Sequence, residues 1–375
     1  MTDRDLREIR RRFRPDKNNI TNIKGCIVNA QKNIVSSFSQ SVATVSTEES
    51  EKLLSIMKKC LSGSLGINLH SMNFSTSQVE NSEEHSLLTK LRTSGLNDEE
   101  SLKKLYDKII ETVKFEHGFA ILVSYDTYDV FSYSKDGNKD DVSSTVFPYI
   151  ICTVCPLKPL KSGLYFKNDE NLLKSVSLQS VLCSPAIGFM FPSFENRAAN
   201  IYSALYYTHD ISNIQPDFIS KIFNVDVPLS AAEQKENFGQ VLKTSLVGEC
   251  DFEVVRTLHE QITELVEEHK NSKDDEPLCL SKETLKTVLQ YSGIEQDKID
   301  EFGNSFDEQF GKNAEVYPKS IVDVKKFNLE TADVSIKVNP EKKDLVSTQI
   351  INGIKYIMIR ADGGVEVNGI DIDIK

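Results

Sequence analysis

The sequence lacks tryptophan, and it lacks any long run of apolar residues. A helix that spans a bilayer needs about 20 predominantly apolar residues, so we expect no membrane-spanning helix. The opening stretch MTDRDLREIRRRF is charged throughout and contains no apolar core of a secretory signal. We therefore expect a cytoplasmic protein without membrane partners.

Several loops that bind cofactors or carry nucleophiles are also missing. The patterns G-x-x-x-x-G-K-[ST], G-x-G-x-x-G and G-x-S-x-G do not occur in the chain. Their absence excludes the common nucleotide-binding loops and the nucleophile elbow of hydrolases. We predict no cofactor.

Acidic residues outnumber basic ones overall, and positive charge is concentrated at one end. The formal net charge is −12, which excludes a protein whose whole surface coats nucleic acid. Residues 1–24 hold eight cationic and four acidic side chains, a net +4, so the remainder carries −16. The spacing of Leu6, Ile9 and Phe13 predicts an amphipathic helix that Pro15 ends.

This basic segment has two interpretations. Arginine forks match phosphate oxygens, so its cations are candidates for contacting DNA phosphates or an acidic partner. Alternatively, they lie across the acidic surface of the protein itself or face solvent. The candidate anion-binding residues are Arg10, Arg11, Arg12, Arg14 and Lys17.

Seven cysteines are scattered along the chain, an odd number without a disulfide framework, which favours reduced thiols. Only Cys152 and Cys155 have C-x-x-C spacing. This spacing is compatible with a zinc site, a redox pair or two core thiols. They fall in a β-rich stretch, and residues three apart on a strand face opposite sides. We predict core thiols and no metal site.

Acid–base side chains cluster in FENRAANIYSALYYTHD. Glu195, Arg197 and His209 are the candidate catalytic residues there, for an enzyme whose site lies in a central sheet. Sequence spacing does not determine whether they converge. Whether the chain is an enzyme stays open, and the absence of a motif favours a protein without catalysis.

The predicted elements indicate an α+β fold with segregated helices and mostly antiparallel sheets. Ser46 and Glu49 form a capping box for a helix ending near Gly63, residues 145–210 are rich in β-formers, and Asn352-Gly353 predicts a hairpin. Residues 62–82 are predicted as a polar connection. We expect two domains, 1–245 with the basic helix and central sheet, and 246–375 with helices followed by hairpins.

A long helix over 252–269 carries an apolar seam that offers a surface for homo-oligomerisation. The seam comprises Phe252, Val255, His259, Ile262, Val266 and His269. The next two helices, over 281–310, are spaced like a helix-turn-helix. Acidic side chains dominate the second of them, which would repel it from a DNA groove.

Four stretches carry a resemblance to a bacterial protein family of unknown function, and it spans essentially the full chain. They are EIRRRFRPDKNNIT, GFMFPSFENRAANIYSALYYT, AAEQKENF and IVDVKKF. That resemblance implies no activity.

The stretch FDEQFGKNAEVYPKSIVDVKKFNLETADVSIKVNPEKKDLVSTQIINGIKYIMI is also similar to the end of bacterial nucleoid-associated proteins. The matching positions are Phe306, Phe310, Asp323, Lys325, Lys326, Phe327, Ile336 and Val338. The chain departs from that family in its ending, VEVNGIDIDIK. The resemblance implies association with the nucleoid and contains no catalytic motif.

We therefore expect a non-catalytic cytoplasmic binding protein that contacts DNA or a DNA-bound protein through residues 1–24. The alternatives are an enzyme with a site around Glu195, Arg197 and His209, and an oligomeric scaffold that self-associates through the 252–269 seam.

Overall fold

The computed structural model describes residues 1–133, 139–159, 163–167, 170–176, 180–195, 198–272, 276–312, 314–367 and 370–372. Helices and mostly antiparallel sheets make up the fold, which confirms the predicted α+β class. Among these residues, no helix has the length and apolar character needed to cross a membrane.

The helices are α1 (Asp3–Arg12), α2 (Thr47–Lys59), α3 (Thr76–Asn81), α4 (Glu83–Thr93), α5 (Glu99–Thr112), α6 (Pro216–Phe223), α7 (Ala231–Ser245), α8 (Phe252–Ser272), α9 (Lys282–Tyr291), α10 (Gln296–Phe310) and α11 (Pro318–Ile321), with a 3₁₀ helix over Pro340–Leu345.

The first strands are β1 (Asn22–Val28), β2 (Ile34–Ser41), β3 (Leu69–Asn73), β4 (Phe119–Tyr133), β5 (Lys139–Pro159), β6 (Gly163–Lys167), β7 (Leu172–Val176), β8 (Ser180–Leu182), β9 (Ile187–Phe191), β10 (Ser193–Glu195), β11 (Ala198–Asn200) and β12 (Ser203–Thr208). The later strands are β13 (Leu280–Ser281), β14 (Glu315–Val316), β15 (Phe327–Glu330), β16 (Ser335–Val338), β17 (Val346–Ile351), β18 (Ile354–Ile359), β19 (Val365–Val367) and β20 (Ile370–Ile372).

The backbone forms two compact units. The first comprises Met1–Ser230 with Asp275–Pro277, and the second Ala231–Asp274 with Leu278–Lys375. Helix α7, placed in the first domain by the sequence, lies in the second unit. The domain division at 245/246 stays a prediction.

An eight-stranded sheet organises the first unit, in the order β2-β1-β4-β5-β9-β12-β3 with β8 paired to β5. Alternate residues of its strands face α4, α5 and α6, as the two-residue period of a strand requires. Fully buried aromatic side chains fill this layer, including Phe189, Phe191, Phe218 and Phe223.

Helices α1 and α2 lie on the opposite face of the same sheet. The Thr153 hydroxyl contacts the Met57 sulfur of α2 at 3.7 Å, and Arg12 of α1 reaches Asp126 of β4. The sheet is therefore covered on both faces in the centre, which explains its nearly continuous apolar strands.

The segment predicted as a polar connection contains two regular elements instead. Strand β3 pairs with β12 at the edge of the sheet, with Leu69 opposite Tyr207. Helix α3 begins with a capping box between Ser75 and Gln78. The prediction of a connection is wrong because pairing with a strand more than a hundred residues later overrides the polar composition of this stretch.

The second unit is built around α7, α8, α9 and α10. Phe238 of α7 meets Phe302 of α10 edge-to-face at 6.3 Å, and Leu258 and Ile262 of α8 enter the same core. Hairpins β15–β16, β17–β18 and β19–β20 follow the helices. The turn between β17 and β18 is Asn352-Gly353, both with positive φ, which confirms the predicted hairpin.

A buried histidine in the second unit makes its stability sensitive to acid. The Nε2 of His259 lies 2.9 Å from the Asp323 carbonyl oxygen, and its ring meets Phe327 edge-on at 5.3 Å. Burial is the main cause that lowers the pKa of His259, and the Lys343 ammonium lowers it further. The folded state thus favours the neutral ring. Stability present above the unfolded pKa of about 6.5 is lost as the pH falls through the lower folded pKa.

We predict that the free energy of unfolding of the whole chain falls between pH 7.5 and pH 5, and that His259→Gln reduces this fall. Urea unfolding at a series of pH values measures it. His117→Gln is the control, since His117 is exposed. A pH dependence unchanged by His259→Gln would contradict the role of this ring.

Candidate functional site

Helix α1 is an integral part of the first unit rather than a free arm. Thr2 and Asp5 form a reciprocal capping box at its start. Leu6 and Ile9 are fully buried, and Phe13 follows them into the core. The structure therefore confirms the helix that the apolar spacing predicts, and the predicted apolar face is the one that is buried.

Arg10 is held by the end of α2. Its Nε donates to the Leu61 carbonyl oxygen at 2.6 Å, and its terminal nitrogen donates to the Gly63 carbonyl oxygen at 2.9 Å. Carbonyls just past a helix C-terminus lack partners within the helix, so a cation there is favourable. Burial lowers the pKa of Arg10 from its ordinary value. This guanidinium is engaged in holding α1 to α2.

Arg12 is held by a buried carboxylate of β4. Its Nε lies 3.4 Å from Asp126 Oδ2, and its terminal nitrogen donates to the Thr127 carbonyl oxygen at 2.5 Å. Its guanidinium also stacks over the Tyr128 ring at 5.8 Å. The segment after α1 is also bonded to this carboxylate, because the backbone N–H of Asn19 donates to Asp126 at 3.0 Å.

Asp126 is almost completely buried, and it accepts four hydrogen bonds. The Tyr149 hydroxyl donates to it at 2.6 Å, and the Thr127 N–H at 2.8 Å. Burial, and then the negative charge of Asp126, raise the pKa of Tyr149 well above its ordinary value. A buried carboxylate is tolerated when paired and hydrogen-bonded in this way.

The sequence analysis did not identify Asp126. The signal for it is a charged residue on an otherwise apolar strand, facing the same side as Leu122 and Tyr128. Its partner Arg12 lies more than a hundred residues earlier, so spacing could not have paired them.

Three of the five predicted anion-binding residues have exposed side chains: Arg11, Arg14 and Lys17. We call these three the basic rim. They lie at the C-terminal end of α1 and in the turn that follows it. The predicted set therefore divides into two residues that fix the helix and three that face solvent.

A second group of cations lies on α4, α5 and α6, around a depression of about 440 Å³. Three of the four lysines that line it have carboxylate partners: Lys104 with Glu100, Lys108 with Glu84 and Lys221 with Glu111, each at 3.0 Å or less. An anion would have to displace these partners. The basic rim is the better candidate for binding phosphate.

The candidate catalytic residues are not brought together. Glu195 ends β10, is exposed and accepts a hydrogen bond from the Asn200 amide at 3.0 Å. The exposed His209 follows β12, and its backbone N–H donates to the Ala186 carbonyl oxygen just before β9. Glu195 and His209 thus lie beyond opposite ends of β9, so they are separated by more than the roughly 13 Å that this strand spans. Arg197 lies outside the described residues.

Cys152 and Cys155 are both buried in β5, which confirms the prediction of core thiols. Burial raises the pKa of Cys155 to about 12, and it raises the pKa of Cys152 well above its ordinary value. Such thiols are protonated and unreactive at neutral pH. In the part of the chain that the structure describes, no three histidine, cysteine or acidic side chains are grouped to hold a metal.

The seam predicted for self-association is partly buried, with His259 and Ile262 buried and Val255 exposed. Ile262 is fully buried among the helices of the second unit, and His259 is buried against Phe327. Val255 is 40% exposed. The buried stripe of α8 includes Val254, Leu258 and Ile262. The buried face of the helix is therefore centred to one side of the predicted seam.

A comparison with curated proteins found no match. Residues 1–370 match the protein family described as "Domain of unknown function (DUF4317)", and the chain therefore belongs to that family.

Proposed function

We propose that the chain is a non-catalytic binding protein that contacts DNA, or a protein bound to DNA, through the basic rim of Arg11, Arg14 and Lys17. The observation that carries the proposal is the division of the five predicted anion-binding residues into two groups. Arg10 and Arg12 bond to the protein itself, whereas the three residues of the rim present their charges to solvent.

A rigidly mounted basic surface suits phosphate binding. Because α1 is already docked, ordering this segment costs little on binding, and the affinity benefits from that preorganisation. Arginine offers a planar fork of donors that matches phosphate oxygens. The chain beyond residue 24 carries a net charge of −16, which favours contact with a polyanion at the basic N-terminal segment.

The resemblance to nucleoid-associated proteins supports the same proposal. Those proteins act on DNA in the bacterial cytoplasm, and the similar stretch includes β15 and the hairpin β17–β18. Helix α10 is unsuited to a DNA groove, because acidic side chains dominate it and the phosphates would repel them. We infer contact with the DNA backbone rather than readout of base edges.

We predict that the full-length chain binds a labelled DNA duplex in fluorescence anisotropy and that Arg11→Gln/Arg14→Gln/Lys17→Gln abolishes the binding. Three phosphate contacts predict an affinity loss of about 40-fold between about 50 and about 200 mM salt for the unmodified chain. The substitutions leave Arg10, Arg12 and the buried face of α1 in place, so the fold is retained.

The matched control removes three exposed cations elsewhere, as Lys103→Gln/Lys114→Gln/Lys243→Gln. This control changes the net charge equally and is expected to bind DNA with little loss of affinity. Equal affinity of the two triple variants would contradict a contact at the rim. Absence of binding by the unmodified chain at low salt would overturn direct DNA contact.

A further inference from the structure

The hairpin β17–β18 presents an apolar surface that the described chain leaves uncovered. Every residue from Ser347 to Arg360 is exposed, and only Val346 at its base is buried. The large apolar side chains on it are Ile350, Ile351, Ile354, Tyr356, Ile357, Met358 and Ile359. Monomeric proteins seldom expose apolar residues this densely, so the surface indicates an interface.

The backbone of the hairpin also has unpaired strand edges. Among the described residues, β17 and β18 pair only with each other, so each has an open edge. An isolated two-stranded hairpin is marginally stable in water, and three or more strands with an apolar face are needed for stability. An added strand would supply the missing hydrogen bonds and widen the two-stranded hairpin into a larger sheet.

We propose that β18 pairs antiparallel with β18 of a second copy of this chain, to form a four-stranded sheet in the order β17-β18-β18-β17. This arrangement places the strand with more apolar residues at the centre. The polar residues Ser347, Thr348 and Gln349 of β17 then occupy the outer edges, where solvent-facing polar residues are favoured.

Charge supports a second copy as the partner. Residues 346–359 contain no acidic side chain and a single cation, Lys355. A two-fold axis through Ile357 places Lys355 opposite Ile359 of the second copy, and Tyr356 opposite Met358 of the second copy. The two lysines are thereby kept apart, and no like charges face each other across the pair. The chain is otherwise acidic, so this uncharged segment is where two copies approach with least repulsion.

The test is the oligomeric state of the full-length chain, measured by sedimentation velocity over a wide concentration range. We expect a dimer for the unmodified chain. Ile357→Glu places two carboxylates opposite each other at the two-fold axis, and we expect it to weaken dimerisation on the order of 100-fold. Val247→Glu is the matched control, because Val247 is equally apolar, 67% exposed and outside the hairpin. It is expected to stay dimeric.

A charge-swap experiment separates loss of the interface from loss of the hairpin. Ile357→Lys alone is expected to be monomeric, and an equal mixture with Ile357→Glu is expected to restore the dimer through opposite charges at the axis. A monomeric unmodified chain, a dimer that Ile357→Glu leaves intact, or a mixture that stays monomeric would each overturn the proposal. A dimer that only Val255→Glu dissociates would overturn it in favour of α8.

Discussion

Replacing Arg12 with methionine is expected to lower the free energy of unfolding by about 3 kcal/mol. The substitution keeps the length of the side chain but removes the cation that lies 3.4 Å from Asp126. Among the described residues, Asp126 then keeps the Tyr149 hydroxyl and the backbone N–H groups of Asn19 and Thr127 as donors but loses its cationic partner. Urea unfolding at neutral pH measures the loss.

Arg11→Met is the matched control for this prediction. Arg11 is the adjacent residue on the same helix and is exposed, so its loss should change the free energy of unfolding by no more than about 0.5 kcal/mol. Arg12→Met/Asp126→Asn is expected to recover part of the stability, because no unpaired carboxylate is left in the interior. Equal stability of Arg11→Met and Arg12→Met would show that Asp126 does not hold α1.

The second large effect concerns α8. Ile262→Lys is expected to unfold the second unit, at a cost of about 4 kcal/mol or more, because it places a charge in a fully buried position. Limited proteolysis and urea unfolding both detect this change. The same substitution at a self-association surface would instead dissociate an oligomer and leave the unit folded.

Val255→Lys separates those two interpretations. Val255 lies on the same helix at 40% exposure, and the charge can remain in solvent there. We expect its free energy of unfolding to stay within about 0.5 kcal/mol of the unmodified chain. A folded Ile262→Lys variant with an altered oligomeric state would contradict the inward packing of α8.

Local signals in the sequence predicted the elements that depend on nearby residues. The Ser46–Glu49 capping box marks the start of α2, and Asn352-Gly353 marks the turn between β17 and β18. The apolar period of Leu6 and Ile9 identified both α1 and its buried face. These features are determined within a few residues of chain.

The features that the sequence did not reveal depend on contacts between distant residues. Strand β3 exists because β12 pairs with it, and its own composition is polar enough to predict a loop. The pairing of Arg12 with Asp126 depends on the docking of α1 against β4. The sequence predicts five basic residues for phosphate binding but does not divide them. The long-range contacts show that Arg10 and Arg12 fix the helix, whereas the basic rim remains exposed.

The same contacts change how the basic segment should be tested. Deleting residues 1–17 would remove the buried Leu6 and Ile9 and leave Asp126 without Arg12, so lost DNA binding could reflect lost stability. Single substitutions on the rim avoid this difficulty, since their side chains face solvent.

The most direct test of the proposed DNA contact is the slope of log Kd against log salt concentration for the unmodified chain and for Arg11→Gln. Each phosphate contact contributes about 0.9 to that slope, so we predict that Arg11→Gln lowers it by about one, with the free energy of unfolding unchanged. An identical slope for both chains would contradict the assignment of Arg11 to a phosphate and, with it, the proposal that the basic rim contacts DNA.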